Sequence, residues 1–277
     1  MPSKVLKIEQ ILPNEWRFCY RANEGKQIEK FMTATTLIDY GEHAQAEEIL
    51  RSIIESCPGH LDARHCLAYL HLHKGRKEEA LEIWREAVAI GMGAFPKKFV
   101  IGEGRLEWIW PENRSFLQAY AGLGTALHRE GALKEALSIF SNLLSFNPGD
   151  HQGVRGIAIE TAFALGRPDE VLRICEKYPG DILVDTLYAR PLVLIQLGRR
   201  EEAVKLLASA TEQYPLVARD LLGRRHVRPR GSEPGFVEVG GADEAYEYWR
   251  RMGKNWKKTG GALDMLRQAT SLHPSLV

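Results

Sequence analysis

The sequence predicts an all-α protein, an α-solenoid of about five helix-turn-helix repeats. Two observations predict it: a glycine turn recurs five times, and a small or aliphatic residue follows each glycine by five positions. The five turns begin at Gly41, Gly75, Gly131, Gly166 and Gly198. Glycine is typical of a helix C-cap because it adopts a positive φ without strain. The small residues predict close contact between the two helices that each turn connects.

The small residues set the period of the repeat. They are Ala46, Ala80, Ala136, Val171 and Ala203, at spacings of 34, 56, 35 and 32 residues. A bulky residue follows each by four positions, in the series Leu50, Trp84, Phe140, Cys175 and Leu207. A third recurring position comes seven residues after the small one, so the pattern follows one face of an α-helix. The long second spacing predicts an insertion between the second and third repeats.

This pattern resembles the tetratricopeptide repeat (TPR) family, whose period is about 34 residues. The resemblance covers residues 27–215 apart from the insertion. An unrelated helical bundle with glycine turns is the alternative. Two departures predict local irregularity: Pro191 predicts a kink in the first helix of the fifth repeat, and the fourth repeat is shortened near Tyr178.

The repeats divide the chain into five predicted segments. These are an N-terminal extension (1–26), repeats one and two (27–92), an aromatic-rich insertion (93–114), repeats three to five (115–215), and a linker with a helical C-terminal cap (216–277). In the insertion, Gly102 and Gly104 separate two short apolar runs, which suggests a small hairpin or a packed Ω-loop. We expect Trp108 and Trp110 to pack this segment onto the repeats, with a partner-binding surface as the alternative.

The C-terminal segment (216–277) is predicted to contain a basic linker followed by two helices. Residues 221–231 carry an arginine cluster between glycine and proline, which is typical of a solvated segment. Residues 242–252 predict an amphipathic helix, and a last helix is expected at about 261–272. Residues 112–120, 147–155, 222–224, 243–245 and 256–263 also resemble bacterial and archaeal TPR proteins without a defined activity. That resemblance implies a prokaryotic origin and a tail that folds with the repeats.

Composition favours a cytoplasmic protein that binds neither nucleic acid nor membrane. Lys and Arg number 37 against 36 for Asp and Glu, so no net field attracts a polyanion. No stretch approaches the length of an apolar membrane span, and residues 1–10 lack the apolar core of a signal peptide. The four cysteines are scattered, and we interpret them as reduced thiols.

The densest reactive cluster comprises Cys57, His60, His65, Cys66, His71 and His73. Its spacing lacks the paired ligands of structural zinc sites, and we interpret it as surface histidines with a buried thiol. No hydrolase, nucleotide-binding or metalloprotease motif occurs. We therefore predict no enzyme activity, no catalytic residues, no metal and no cofactor.

The resemblance to TPR proteins implies an interaction scaffold with a groove lined by the first helix of each repeat. The groove positions, carried onto this sequence, are Thr35, Asp39, His65, Tyr69, His73, Gln118, Thr125, Arg129, Glu160, Tyr188 and Gln196, with Phe31 beside them. Such a lining suits an extended peptide or a protein partner. Where chaperone-tail binders of the family carry Lys and Asn, this chain has His65 with Tyr69 and Ala121 with Thr125, which argues against that ligand. Self-assembly into a homo-oligomer, or a His/Cys metal-binding protein, is the alternative.

Overall fold

The structure is a computed structural model that describes residues 6–19, 25–229 and 237–271. The described residues form thirteen α-helices and two β-strands. The fold separates into two compact units, a first unit of Met1–Arg155 and a second unit of Gly156–Val277. Each unit is described by itself.

Five helix pairs form the repeats, as the sequence predicts. They are α1 (Gly25–Asp39) with α2 (His43–Ser56), α3 (Leu61–His73) with α4 (Lys77–Gly93), α5 (Pro111–Arg129) with α6 (Leu133–Phe146), α7 (Val154–Ala164) with α8 (Pro168–Lys177), and α9 (Val184–Gln196) with α10 (Arg200–Gln213). The helices of the fourth pair are the shortest of the ten, at 11 and 10 residues. The helix α9 continues through Pro191 to its end, and the predicted kink stays a prediction.

The same turn joins the two helices in every pair. Each turn glycine has a φ between 64° and 81°. In the first pair, the Gly41 amide donates to the Ile38 carbonyl and the Glu42 amide donates to the Leu37 carbonyl. The equivalent two bonds occur at the other four turns. This is the Schellman arrangement, which satisfies the last carbonyls of the first helix and requires a left-handed residue.

The predicted register of the second helices is confirmed by burial. The five small residues from Ala46 to Ala203 are fully buried, and so are the bulky residues that follow them by four positions. At Gly124 in α5, an added Cβ would lie 2.8 Å from the Phe140 ring. Small residues therefore set the distance between paired helices, and the bulky ones fill the space beside them.

The N-terminal segment contains a β-hairpin that the sequence analysis missed. Strands β1 (Lys7–Leu12) and β2 (Glu15–Cys19) are antiparallel. Alternation in β2 buries Trp16 and Phe18, and Phe18 packs on Phe116 of α5 with ring centroids 5.3 Å apart. The sequence did contain a signal for this hairpin. Charged and aliphatic residues alternate at Lys7, Ile8 and Glu9, and a Pro-Asn turn follows at positions 13 and 14.

The insertion between α4 and α5 is a packed loop. Residues 94–110, all of which the structure describes, contain turns and one bridge from Arg105 to Glu15 but no strand. The sequence predicts that Trp108 and Trp110 pack this loop onto the repeats; Trp108 does lie beside Arg114 of α5, but two phenylalanines make the ring contacts with α6. Phe95 and Phe99 stack with centroids 4.2 Å apart and contact Phe146, whereas Trp108 and Trp110 are only half-buried and lie beside arginines.

Three helices cover the fifth repeat in the second unit. They are α11 (Pro215–Leu222), α12 (Ala242–Lys258) and α13 (Ala262–Ser271). The predicted linker thus begins with a helix, because Pro215 starts α11 at a position where its missing N–H is not needed. The helix α11 packs against α12, and α13 packs against α10 and α11. Residues 230 and 231 of the predicted basic linker, together with 232–236, lie outside the described residues.

Candidate functional site

The predicted groove residues of the first unit come from the first helix of each pair. Thr35 and Asp39 lie on α1; His65, Tyr69 and His73 lie on α3; Gln118, Thr125 and Arg129 lie on α5. Within each helix they are separated by four, seven, eight or eleven residues, which places them on one face. Five of them are exposed, whereas Thr35, His65 and Thr125 are half-buried.

Two adjoining cavities open on this face. The α1–α3 cavity has a volume of about 400 Å³ and is lined by His65, Tyr69 and His73, with Ile38, Cys66 and Leu70 adding apolar wall. The α3–α5 cavity has a volume of about 250 Å³ and is lined by His65, Tyr69, Gln118, Thr125 and Arg129, together with Trp84 and Gln152. His65 and Tyr69 line both. Thr35 and Asp39 line neither cavity.

Tyr69 is the most prominent side chain of the site. It is 49% exposed although it is a large aromatic residue. Its ring lies 5.1 Å from the His73 ring and 6.0 Å from the His65 ring, measured between centroids. A partly exposed aromatic side chain held between other rings is well suited to anchor a ligand. Its burial removes a large apolar area from water and costs little side-chain entropy.

Trp84 forms the floor of the α3–α5 cavity, which sequence reasoning did not foresee. The repeat pattern predicts only its helix–helix contact, and it is indeed almost fully buried. The indole approaches α5 closely, since a Cβ added at Gly122 would lie 2.7 Å from Trp84 Nε1. Only glycine at position 122 leaves this space free.

Trp84 also fixes the chemical state of His65. The indole Nε1–H donates to His65 Nδ1 at 3.1 Å, which leaves the hydrogen of the neutral imidazole on Nε2. Burial lowers the pKa of His65, while nearby Asp62 acts in the opposite direction. His65 is therefore a neutral hydrogen-bonding group at neutral pH.

Arg129 supplies the positive charge of the α3–α5 cavity. It lies in the last turn of α5 and is exposed. Among the described residues it forms no ion pair, in contrast to Lys77, whose Nζ lies 2.8 Å from Glu130. Its guanidinium is therefore available for a carboxylate or a carbonyl of a ligand.

The His/Cys cluster is divided among separate structural roles. Within the described residues no group of three or more His, Cys, Asp or Glu side chains is arranged to hold a metal ion. His60 accepts a hydrogen bond from the Ala63 amide and caps α3. Burial raises the pKa of the Cys66 thiol to about 12, so this cysteine remains protonated and unreactive.

His71 corrects the expectation of surface histidines. It is buried, with Nδ1 2.8 Å from Glu79 and Nε2 3.3 Å from Glu47. Burial by itself would raise the pKa of Glu47, but hydrogen bonds from Lys74, Arg51 and Arg76 hold it well below its usual range. This network connects α2, α3 and the start of α4, and its role is to fix these helices.

The predicted groove residues of the second unit are held by the C-terminal helices. Tyr188 is fully buried, donates its hydroxyl hydrogen to the Tyr214 carbonyl at 2.7 Å, and packs against Tyr248. Its assignment to a binding surface was wrong because α12 covers it. Gln196 donates to Thr259 Oγ1 at 2.9 Å, and Glu160 lies 3.5 Å from Arg251. These two line a different, polar cavity beside α12.

The five pairs and their turns define a repeat protein of the TPR type, and solved structures agree. MamA is 16% identical over 74% of this chain and 100% of that chain, with a TM-score of 0.50. YrrB, described as a TPR protein with an unusual peptide-binding site, is 20% identical over 70% of this chain and 90% of that one, with a TM-score of 0.51. A TPR protein from Parabacteroides merdae is 15% identical over 88% and 79% of the two chains, with a TM-score of 0.52. At these identities the likeness shows the fold alone.

The family of this chain is identified by comparing its sequence with models of protein families. The model of the Tcf25 family, described as transcriptional repressor TCF25, matches residues 18–260, and the chain belongs to this family. No curated protein matches the sequence. The narrower resemblance to bacterial and archaeal TPR proteins stays a prediction.

No helix in the described part of the chain is both long and apolar enough to cross a bilayer.

Proposed function

We propose that this chain is a protein-interaction adaptor whose first unit binds an extended peptide segment of a partner. The observation that carries the proposal is the pair of adjoining cavities that share His65 and Tyr69. An extended segment presents side chains at regular intervals and leaves its backbone free for hydrogen bonds. Two cavities on either side of one aromatic residue suit such a ligand.

The two cavities differ in the chemistry of their walls, which supports binding of a different part of the ligand in each. The α1–α3 cavity, with Ile38, Cys66 and Leu70 in its wall, takes an apolar side chain. The α3–α5 cavity carries amide and guanidinium donors on Gln118, Gln152 and Arg129, and it takes backbone carbonyls or an acidic side chain. YrrB is described as having a peptide-binding site, and we propose the same class of ligand here.

Affinity capture with matched variants tests the proposal. The groove variant carries Tyr69→Glu and Arg129→Glu. The control variant carries Tyr40→Glu and Lys134→Glu, which make the same charge changes at exposed positions that line neither cavity. We expect the parent and the control to capture the same protein, and a synthetic peptide from it to bind the groove variant at least tenfold more weakly. Equal capture by all three proteins would contradict the groove as the binding site.

The family description extends the proposal to transcription. The Tcf25 family is described as a transcriptional repressor, and we propose that this chain takes part in such a process as the component that holds a partner protein. In a reporter assay with the chain tethered to a promoter, the groove variant should lose the repression that the parent and control produce. Repression that is unchanged by the groove variant would separate this role from the groove.

Self-assembly is the second candidate, and exposed aliphatic residues on the insertion favour it. Val100, Ile101 and Ile109 of this loop are 49%, 51% and 74% exposed, and exposed apolar side chains are available for an interface. Under this alternative the mass in solution rises with concentration, and Ile109→Glu abolishes the rise. A monomer at every concentration would exclude it. None of the four cysteines forms a disulfide, which supports our proposal of a reducing, cytoplasmic compartment.

A further inference from the structure

A polar cavity in the second unit lies between α7, α9 and α12. It has a volume of about 700 Å³, and its wall includes Glu160, Gln196, Arg251, Lys254 and Lys258. We propose that this cavity is a second binding site, which takes an acidic segment of a partner protein in an extended conformation. The proposal does not depend on the groove of the first unit.

The core fixes the orientation of the helix that carries the cations. On α12, the side chains of Ala245, Tyr248, Met252 and Trp256 are buried. They occupy one face at i, i+3, i+7 and i+11. Arg251, Lys254 and Lys258 lie on a neighbouring face, which borders the cavity. The lysines therefore project beside the cavity because the buried face cannot rotate away from the core.

Arg251 is already committed to carboxylates of the same unit. Its guanidinium lies 2.7 Å from Asp185 and 3.5 Å from Glu160. These ion pairs attach α12 to α7 and α9. They also compensate the charge of Glu160, which is the only acidic residue among those that line the cavity. Arg251 is a structural part of the wall rather than a free ligand-binding group.

Lys254 and Lys258 remain free to bind. Both are exposed, and neither forms an ion pair among the residues that the structure describes. Arg250 of the same helix differs, since it lies 2.7 Å from Glu247. The cavity thus carries an excess of positive charge contributed by two ammonium groups one helical turn apart.

The spacing of these two lysines suits an extended acidic segment. Residues four apart on a helix have Cβ atoms about 5–6 Å apart. In an extended chain, alternate residues point the same way and are separated by about 6.6 Å. A segment with acidic residues at alternate positions therefore places successive carboxylates near Lys254 and Lys258.

The rest of the lining suits a peptide better than a nucleic acid. Phe163 and Ile195 contribute apolar floor, and the amides of Gln196 and Asn255 provide groups that can pair with a peptide backbone. Nucleic-acid affinity depends on many phosphate contacts, whereas this cavity offers two free cations. The chemistry therefore points to an acidic peptide.

Binding of defined peptides to the full chain tests this site. The probe is a fluorescent 12-residue peptide of alternating Glu and Ala, with blocked ends, and its Lys–Ala counterpart is the negative probe. The test variant is Lys254→Glu with Lys258→Glu. The control is Lys205→Glu with Lys257→Glu, which has the same net charge at exposed positions outside the cavity. Lys254→Gln with Lys258→Gln removes the cations without adding acids.

We expect saturable binding of the Glu–Ala peptide to the parent, at least tenfold weaker binding to the test variant, and a change of less than twofold in the control. The Gln variant should fall between them, and added salt should weaken binding to the parent. The first-unit variant Tyr69→Glu with Arg129→Glu should bind this peptide as the parent does. No saturation at millimolar peptide, equal loss in the control, loss in the first-unit variant, or tighter and equally lysine-dependent binding of a 12-nucleotide oligouridylate would each overturn the proposal.

Discussion

At the scale of single residues, the candidate site depends on one glycine and one indole. Gly122 gives the Trp84 ring room against α5, and Trp84 in turn sets the tautomer of His65. The proposed binding surface thus lies on a contact that also packs two helices together. This explains why the repeat pattern revealed the position of Trp84 but not its place in a cavity.

Replacing Gly122 with alanine tests this contact. The new Cβ would lie 2.7 Å from Trp84 Nε1, and relieving the overlap should cost about 1–3 kcal/mol of unfolding free energy. Gly93→Ala is the matched control, because an added Cβ there meets nothing within 4 Å. Urea unfolding should show a loss for Gly122→Ala and none for Gly93→Ala. Equal stability of the two variants would show that the helices separate freely here.

The ion pairs around Glu47 predict that the free energy of unfolding depends on pH. The pKa of Glu47 is lowered in the folded state, since hydrogen bonds from Lys74, Arg51 and Arg76 outweigh the effect of burial. Its stabilising contribution is present above the unfolded pKa of about 4.3 and is lost as the pH falls through the lower, folded value.

Glu47→Gln should therefore unfold more easily than the parent at pH 7, by about 1.5–3 kcal/mol. The difference should shrink as the pH falls below about 4. Exposed Glu48 on the same helix provides the control Glu48→Gln. Chemical unfolding across pH measures both, and a Glu47→Gln effect that stays constant down to pH 2 would contradict the role of the charge.

At the scale of elements, the sequence predicted those features that recur and missed those that occur once. Five turns share one hydrogen-bond pattern, so a glycine and a small residue five positions later were enough to place ten helices. The hairpin β1–β2 is short, occurs once, and depends on Asn113 of α5, a contact that no local pattern reveals. Tyr188 matched the groove position, but its burial depends on α12, which is distant in sequence.

Ala136→Glu tests the register of the repeats. Ala136 is fully buried in the contact between α5 and α6. A charged side chain there must either be buried or separate the helices, at a cost of about 2–5 kcal/mol. The exposed neighbour Lys134 gives the control Lys134→Glu, which places an acid in the first turn of α6. A melting temperature for Ala136→Glu equal to that of the parent would mean that the register is wrong.

Asn113→Ala tests how the hairpin is attached. The side chain accepts from the Phe18 amide at 3.1 Å and donates to the Trp16 carbonyl at 3.0 Å. Each buried group left without a partner costs about 1–3 kcal/mol. Hydrogen exchange at the Phe18 amide should accelerate, while amides of α9 and α10 in the second unit keep their rates. Unchanged exchange at Phe18 would show that hydrophobic packing alone holds the hairpin.

At the scale of the whole molecule, two units built from the same repeat have different surfaces. The first unit leaves its aromatic face open around Tyr69. The second uses α12 to cover Tyr188, and the same helix adds two free lysines beside a polar cavity. Membership of the Tcf25 family and the fold of TPR proteins agree with an interaction role, for which we propose the two surfaces as separate binding sites of different chemistry.

Photo-crosslinking from the first unit tests the central claim most directly. A benzophenone amino acid replaces Tyr69 or Thr125 in the cavities, or exposed Tyr40 outside them, and each protein is irradiated in native lysate. We predict that positions 69 and 125 both crosslink to one segment of the same partner, identified by mass spectrometry, and that position 40 does not. Absence of crosslinks at 69 and 125, or the same products from all three positions, would contradict a peptide-binding groove in the first unit.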